Sequence, residues 1–209
     1  MNKSKSLTIM AMFAAIIFLL AFTPLGFIPL PFVRATTIHI PVIIGSLFLG
    51  PKYGAALGFM FGTASFLIAT FTPGPTSFAF SPFIPVPGSD SGNIWALFVA
   101  FVPRVCVGIV PFYIYALFEK LTSKRFNVVG FAVAGVAGSI TNTILVMHSI
   151  FAFFGEPWAI ASANPIDGLY AVIVSIIVGV GIPEAIVAGV LVAAISSALS
   201  VVLSKTQAA

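Results

Sequence analysis

The sequence predicts an all-α integral membrane protein, a single domain over residues 1–209 built as a six-transmembrane-helix bundle. Both termini are placed in the cytoplasm, and structured loops lie on the outer side. Three observations carry this reading. The chain is 60% hydrophobic and only 7% charged, with a mean hydropathy of +1.18, whereas soluble domains carry about 25% charged residues. Apolar runs recur from end to end, separated by proline- and glycine-rich breaks. Basic residues collect in alternate loops.

A membrane span takes roughly 20 apolar residues. The first runs from Leu7 to Phe22 and stops at "TPLGFIPLP", where Pro24, Pro29 and Pro31 lack amide donors. It follows Lys3 and Lys5 as a signal peptide would, but apolar segments continue throughout, so it reads as a retained helix. The second, short span runs from Thr36 to Gly50-Pro51, with Lys52 and Tyr53 in the turn that follows. The third covers Gly54 to about Phe71. The stretch "TPGPTSFAFSPFIPVPGSDSGN" holds five prolines and three glycines and is too irregular to cross lipid alone, because its backbone groups would lack partners. The remaining spans cover about Ile94 to Phe118, Val128 to Phe153 and Leu169 to Leu203.

Six spans place both termini on one side. Lys3, Lys5, Lys52, Lys120, Lys124, Arg125 and Lys205 fall there, seven of the nine basic residues. Asp90, Glu156 and Asp167 fall opposite. The positive-inside rule then makes the terminal side cytoplasmic. Residues 23–35, 72–93 and 154–168 become outer loops, whose aromatic and proline content suits lids better than loose linkers. The net charge of +4 is accounted for by these cytoplasmic loops, with no nucleic-acid partner implied.

Two basic residues escape that tally. Arg34 opens the second span and can snorkel to lipid phosphates or a loop carboxylate. Arg104 lies about ten residues into the fourth span, roughly 15 Å deep at about 1.5 Å per residue. A charge there costs at least about 2.5 kcal/mol, so it should face a cavity or a partner. Its planar fork suits a carboxylate. The candidates are an anionic substrate group or a buried ion pair with Glu184, which follows Pro183 in "GIPEA". Both hold if substrate competes for the pair. Asn142 and His148 in "GSITNTILVMH", and His39 near the outer end of the second span, place further polar groups in the same outer half.

Small residues carry a packing signal. Gly54, Gly58 and Gly62 recur every four residues on the third span and read as internal helix packing. Ala11 and Ala15 repeat the spacing on the first span, where internal packing and docking to another subunit are both open.

Enzymatic readings find little support. Cys106 is the single cysteine and there are two histidines, poor material for a zinc site. His-Glu-x-x-His, Gly-x-Ser-x-Gly and the phosphate-binding Gly-x-x-x-x-Gly-Lys-[Ser/Thr] are all missing. No metal or cofactor is implied, and any ATP must be handled by other chains. A gradient-driven carrier of a small organic anion is the alternative, with Glu184 as its ion-coupling candidate. No repeat between the two halves supports it.

The first helix "TIMAMFAAIIFLLAF", the short span "TTIHIPVIIGSLFLGPKYGAALGF" and the six-span plan resemble the substrate-binding S component of energy-coupling factor (ECF) vitamin transporters. The resemblance implies a vitamin pocket near the outer face and no ATPase activity in this chain. It also implies partnership with a transmembrane coupling subunit and two cytoplasmic ATPases. The Ala-x-x-x-Ala of the first helix is the family's docking surface, which maps to Ala11 and Ala15. "GFIPLP" followed by "ATTIHIPVIIGSLFLGPKYGA" is most similar to the pantothenate members. Folate, biotin and riboflavin are the other candidates, riboflavin fitting less well because it lacks a carboxylate. Thr37 and His39 would border the pocket, Arg104 would meet the carboxylate, and Asn142 or His39 would meet hydroxyl and amide groups.

Overall fold

The computed structural model describes residues 3–30, 33–122, 127–161 and 166–208, with side chains except at 3, 27–35 and 203–208. The sequence readings of Lys124, Arg125 and the side chains of Lys3, Arg34 and Lys205 lie outside the described residues. Seven helices stand among the described residues: α1 (Lys3–Ala21), α2 (His39–Leu49), α3 (Pro51–Phe71), α4 (Trp95–Thr122), α5 (Val128–Ala161), α6 (Leu169–Ile176) and α7 (Ile182–Ala208). A π-helical turn, Ile177–Gly181, joins α6 to α7.

The expected spans are helical except at the start of the second, where Thr36 belongs to a strand and the helix begins at His39; among the described residues five helical stretches are long and apolar enough to cross a membrane. The second is the exception. At 11 residues, α2 is about 16 Å long by its rise per residue. Large apolar side chains such as Met12, Leu19, Phe59, Tyr113, Ile186 and Val190 are exposed on the outside of the helices, a surface that only lipid satisfies. The chain is a multi-pass membrane protein.

The breaks fall where backbone chemistry puts them. Gly50 closes α2 at φ +93°, a left-handed conformation that glycine adopts freely, and Pro51 opens α3 at a position where no amide donor is needed. Lys52 and Tyr53 consequently sit in the first turn of α3 rather than in the connecting turn. Helix α5 runs past the predicted stop at Phe153 to Ala161, with a kink at Phe154 (φ −139°, ψ 22°). Pro157 cannot donate to the Phe153 carbonyl four residues back, which frees the ladder at that point. Within the first loop, Phe27–Leu30 (β1) and Val33–Thr36 (β2) pair as an antiparallel hairpin with Phe27 opposite Thr36. This small strand pair is an addition to the all-helical plan.

Helices α3 and α4 pack with their backbones nearly touching. A methyl group added at Gly54 would strike the Gly108 carbonyl, one at Gly58 the Arg104 carbonyl, and one at Gly62 Ala100 and Phe101. The glycine row of α3 thus lies along positions 108, 104 and 100 of α4. Ser46 of α2 donates its hydroxyl to the Gly108 carbonyl at 2.6 Å.

Two apolar cores result. One gathers Ile17, Ile43, Leu57, Phe61, Val107, Phe131 and Val192 from the middle of the bundle. The other gathers Phe78, Val99, Ile150, Phe154, Trp158 and Ile173 beneath the 72–94 loop. That loop is folded inward: Phe78 is buried and meets Phe154 edge-on at 5.8 Å, while Ser81 and Thr70 share a hydrogen bond of 2.8 Å. Ile9 of α1, Leu49 of α2 and Leu199 of α7 line one groove at the opposite end, which brings segments near both termini together.

Candidate functional site

Arg104 lies on the seam between the two cores. Its guanidinium carbon is 5.5 Å from the ring centre of Phe61 and 5.0 Å from that of Phe80, residues that belong to or pack against the two different clusters. Cation–π contacts of this kind are worth up to about 2 kcal/mol each when desolvated. Pro103 explains the third contact. A proline at 103 leaves the Val99 carbonyl without its helical donor, and Arg104 supplies the missing proton through Nη1 at 2.7 Å.

Such holding fixes which edge of the side chain is available. With Nη1 committed, Nε is buried without a hydrogen-bond partner, on the edge of the guanidinium that it shares with Nη2. That edge is the two-pronged donor to which a carboxylate binds side-on, accepting both protons. Arg104 is only 7% exposed, so an unpaired donor here carries the desolvation cost of a charged group until an anion fills it.

Glu184 does not close on it. No direct ion pair joins the two, although their opposite charges attract through the interior. Oε1 of Glu184 instead accepts the Thr36 amide of the hairpin at 3.2 Å and stands 3.6 Å from His39 Nδ1. His39 is 1% exposed, and neither ring nitrogen has a hydrogen-bond partner. The π turn and Pro183 place Glu184 at the start of α7, and π turns interrupt helices frequently at functional sites.

The remaining predicted residues are distributed more widely. Thr37 is buried, but its hydroxyl is spent on the Leu25 carbonyl at 2.8 Å, bracing the loop below the hairpin. Asn142 has a buried Oδ1 without a partner. The next residue, Thr143, packs beneath Gly181 of the π turn. His148 is set apart from these groups: it is exposed, bonded through Nδ1 to the Ile144 carbonyl at 2.8 Å and edge-on to Tyr170. Ala11 and Ala15 are both exposed on α1, directed away from the bundle.

Phe61, Phe80 and the Thr36 amide were not legible as site groups. Phenylalanine is so frequent here, at 22 residues, that no single ring stands out by pattern. Pro103 next to Arg104 was the available signal.

Oppositely charged groups buried inside a lipid-facing bundle and not joined to one another mark a polar site within a membrane protein. The family model described as "ECF transporter, substrate-specific component" matches residues 5–196, and the chain belongs to that family. It is 45% identical over 157 residues to "Pantothenic acid transporter PanT" of Lactococcus lactis subsp. cremoris (strain MG1363), covering 74% of this chain and 76% of that one. It is 29% identical over 158 residues to "Pantothenate transporter PanT" of Leuconostoc mesenteroides subsp. mesenteroides, covering 73% and 71%.

Proposed function

We propose that the chain is the pantothenate-capturing subunit of an ATP-driven ECF importer, binding its vitamin at the hairpin end and releasing it to the cytoplasm. The observation that carries the substrate reading is a buried Arg104 whose Nε has no partner, the side chain held by Val99, Phe61 and Phe80. Pantothenate offers the matching carboxylate, and the two pantothenate-transporting relatives support the choice among carboxylate vitamins. Asn142 and His39 supply further polar contacts, with Thr37 shaping the rim; His148, expected from the sequence to contribute, lies apart from them.

The chain crosses the bilayer six times, α2 making a short crossing sheltered by neighbouring helices, with both termini cytoplasmic. The basic residues of the terminal side support this orientation. Ala11 and Ala15 present a small-residue surface to a transmembrane coupling subunit, which joins two cytoplasmic ATPase subunits. Calorimetric titration of the purified chain with pantothenate tests the reading. Tight binding that collapses in Arg104→Ala is expected, together with no accumulation in vesicles holding this chain alone. Unaided accumulation driven by an ion gradient would overturn the ECF mechanism. Binding that survives in Arg104→Ala would overturn the carboxylate clamp.

A further inference from the structure

We infer that Glu184 and His39 form a second reading subsite that takes a substrate hydroxyl, at the end of the site away from the carboxylate clamp. The inference rests on the substrate proposed above and adds a specificity role for Glu184, which charge alone would assign to an ion pair with Arg104.

Three observations carry it. Glu184 and Arg104 have opposite charges inside the same bundle yet are not joined, because each is held elsewhere: Arg104 by the Val99 carbonyl and Glu184 by the Thr36 amide. Among the described residues only Oε1 of Glu184 has a hydrogen-bond or ionic partner, so Oε2 remains an open acceptor on a residue 6% exposed. His39 is buried beside it with both ring nitrogens unpaired, and 3.6 Å to Glu184 Oε1 is too long for a hydrogen bond.

A hydroxyl group satisfies this pair. It has one proton to donate and two lone pairs to accept, so it can donate to the Glu184 carboxylate while accepting from the imidazole N–H. A second carboxylate on the ligand would be repelled by Glu184, and an aliphatic end would leave both groups unpaired. The site therefore selects a small acid with a carboxylate at one end and a hydroxyl at the other. Discrimination against a ligand lacking the hydroxyl follows from the unpaired acceptor left behind.

The test compares pantothenate with two synthetic analogues, each with one hydroxyl replaced by hydrogen, by calorimetry on the purified full chain. The unmodified protein should bind one of the analogues at least about tenfold more weakly than pantothenate, as expected for losing a hydrogen bond to a charged group. Glu184→Gln keeps an oxygen for the Thr36 amide but loses the carboxylate. It should weaken pantothenate by about tenfold and leave that analogue's affinity unchanged. His39→Gln should show the same selectivity and serves where Glu184→Gln does not fold. Equal weakening of all ligands by both variants would show that these residues only brace the hairpin, overturning the subsite. Equal affinity of the unmodified protein for pantothenate and both analogues would overturn it without any variant. If the unmodified protein binds no pantothenate, the substrate reading itself falls and the subsite with it.

Discussion

Arg104 completes the hydrogen bond that its own neighbour removes: Nη1 reaches the Val99 carbonyl at 2.7 Å, and that carbonyl is the one Pro103 cannot serve. The two adjacent residues thus form one device. The proline opens a gap in the helical ladder, and the gap fixes the arginine with its other edge free.

Substituting Arg104→Lys should therefore cost more than its retained charge suggests. An ammonium is a point charge on a flexible stem and cannot cap Val99 while presenting a side-on fork. Pantothenate affinity should fall by about ten- to a hundredfold, between one and two charged hydrogen bonds. Calorimetry checks this, and an unchanged affinity would show that Arg104 offers charge without geometry.

Pro103→Ala makes the complementary prediction. Alanine restores an amide donor to Val99 and makes Arg104 redundant as a cap. The helix should be no less stable, while pantothenate binding weakens about three- to tenfold as the guanidinium loses its anchor. Thermal unfolding in detergent alongside calorimetry separates the two effects. Equal binding with raised stability would mean that the aromatic pair alone holds the side chain.

The rings can be tested separately. Phe80→Leu keeps apolar bulk in the loop but removes the π face 5.0 Å from the guanidinium. A loss of about 1–2 kcal/mol in binding, or roughly five- to thirtyfold, is expected for a desolvated cation–π contact. Phe80→Trp should bind at least as well as the original wherever its larger ring is accommodated.

How much of this could be read from the chain depends on which physical signal each part leaves. Span positions were legible because lipid demands continuous apolar runs, and the stop at Gly50-Pro51 was legible because both residues constrain the backbone. The glycine row of α3 announced a close helix contact, though not that its partner would be the backbone of α4 at Arg104. The continuation of α5 past Phe154 was missed because Pro157 reads as a terminator when it is in fact a kink. Arg104 and Glu184 stood out as charges in apolar runs. Their separation did not, since it depends on the Thr36 amide and the Val99 carbonyl, and backbone groups carry no mark in a sequence.

Close backbone contact gives the site a dependence on α3 that no side chain reveals. A methyl at Gly58 would meet the Arg104 carbonyl, so Gly58→Ala must push α3 from α4 at the level of the clamp. Overpacking of this kind costs about 1–3 kcal/mol, and both stability and pantothenate affinity should fall. Gly74→Ala, where nothing lies within contact of the added group, should change neither. Unfolding midpoints and titrations of the pair check the contrast.

Helix α1 makes the opposite case, small residues left exposed on the outside of the bundle. Ile17 is fully buried, whereas Ala11 and Ala15 are exposed, on a different face of α1 from Ile9, Met12 and Ile16, which line the apolar groove shared with α2 and α7. Small residues let a second helix approach closely within lipid, so replacing both alanines with leucine should block a partner helix without disturbing the distant clamp. Pantothenate binding by the purified chain should stay within about twofold of the original, since neither residue touches the Arg104 region. ATP-dependent uptake in cells carrying the partner subunits should fall to background. Uptake that persists would place the docking surface elsewhere, and binding that falls with it would mean that α1 supports the site after all.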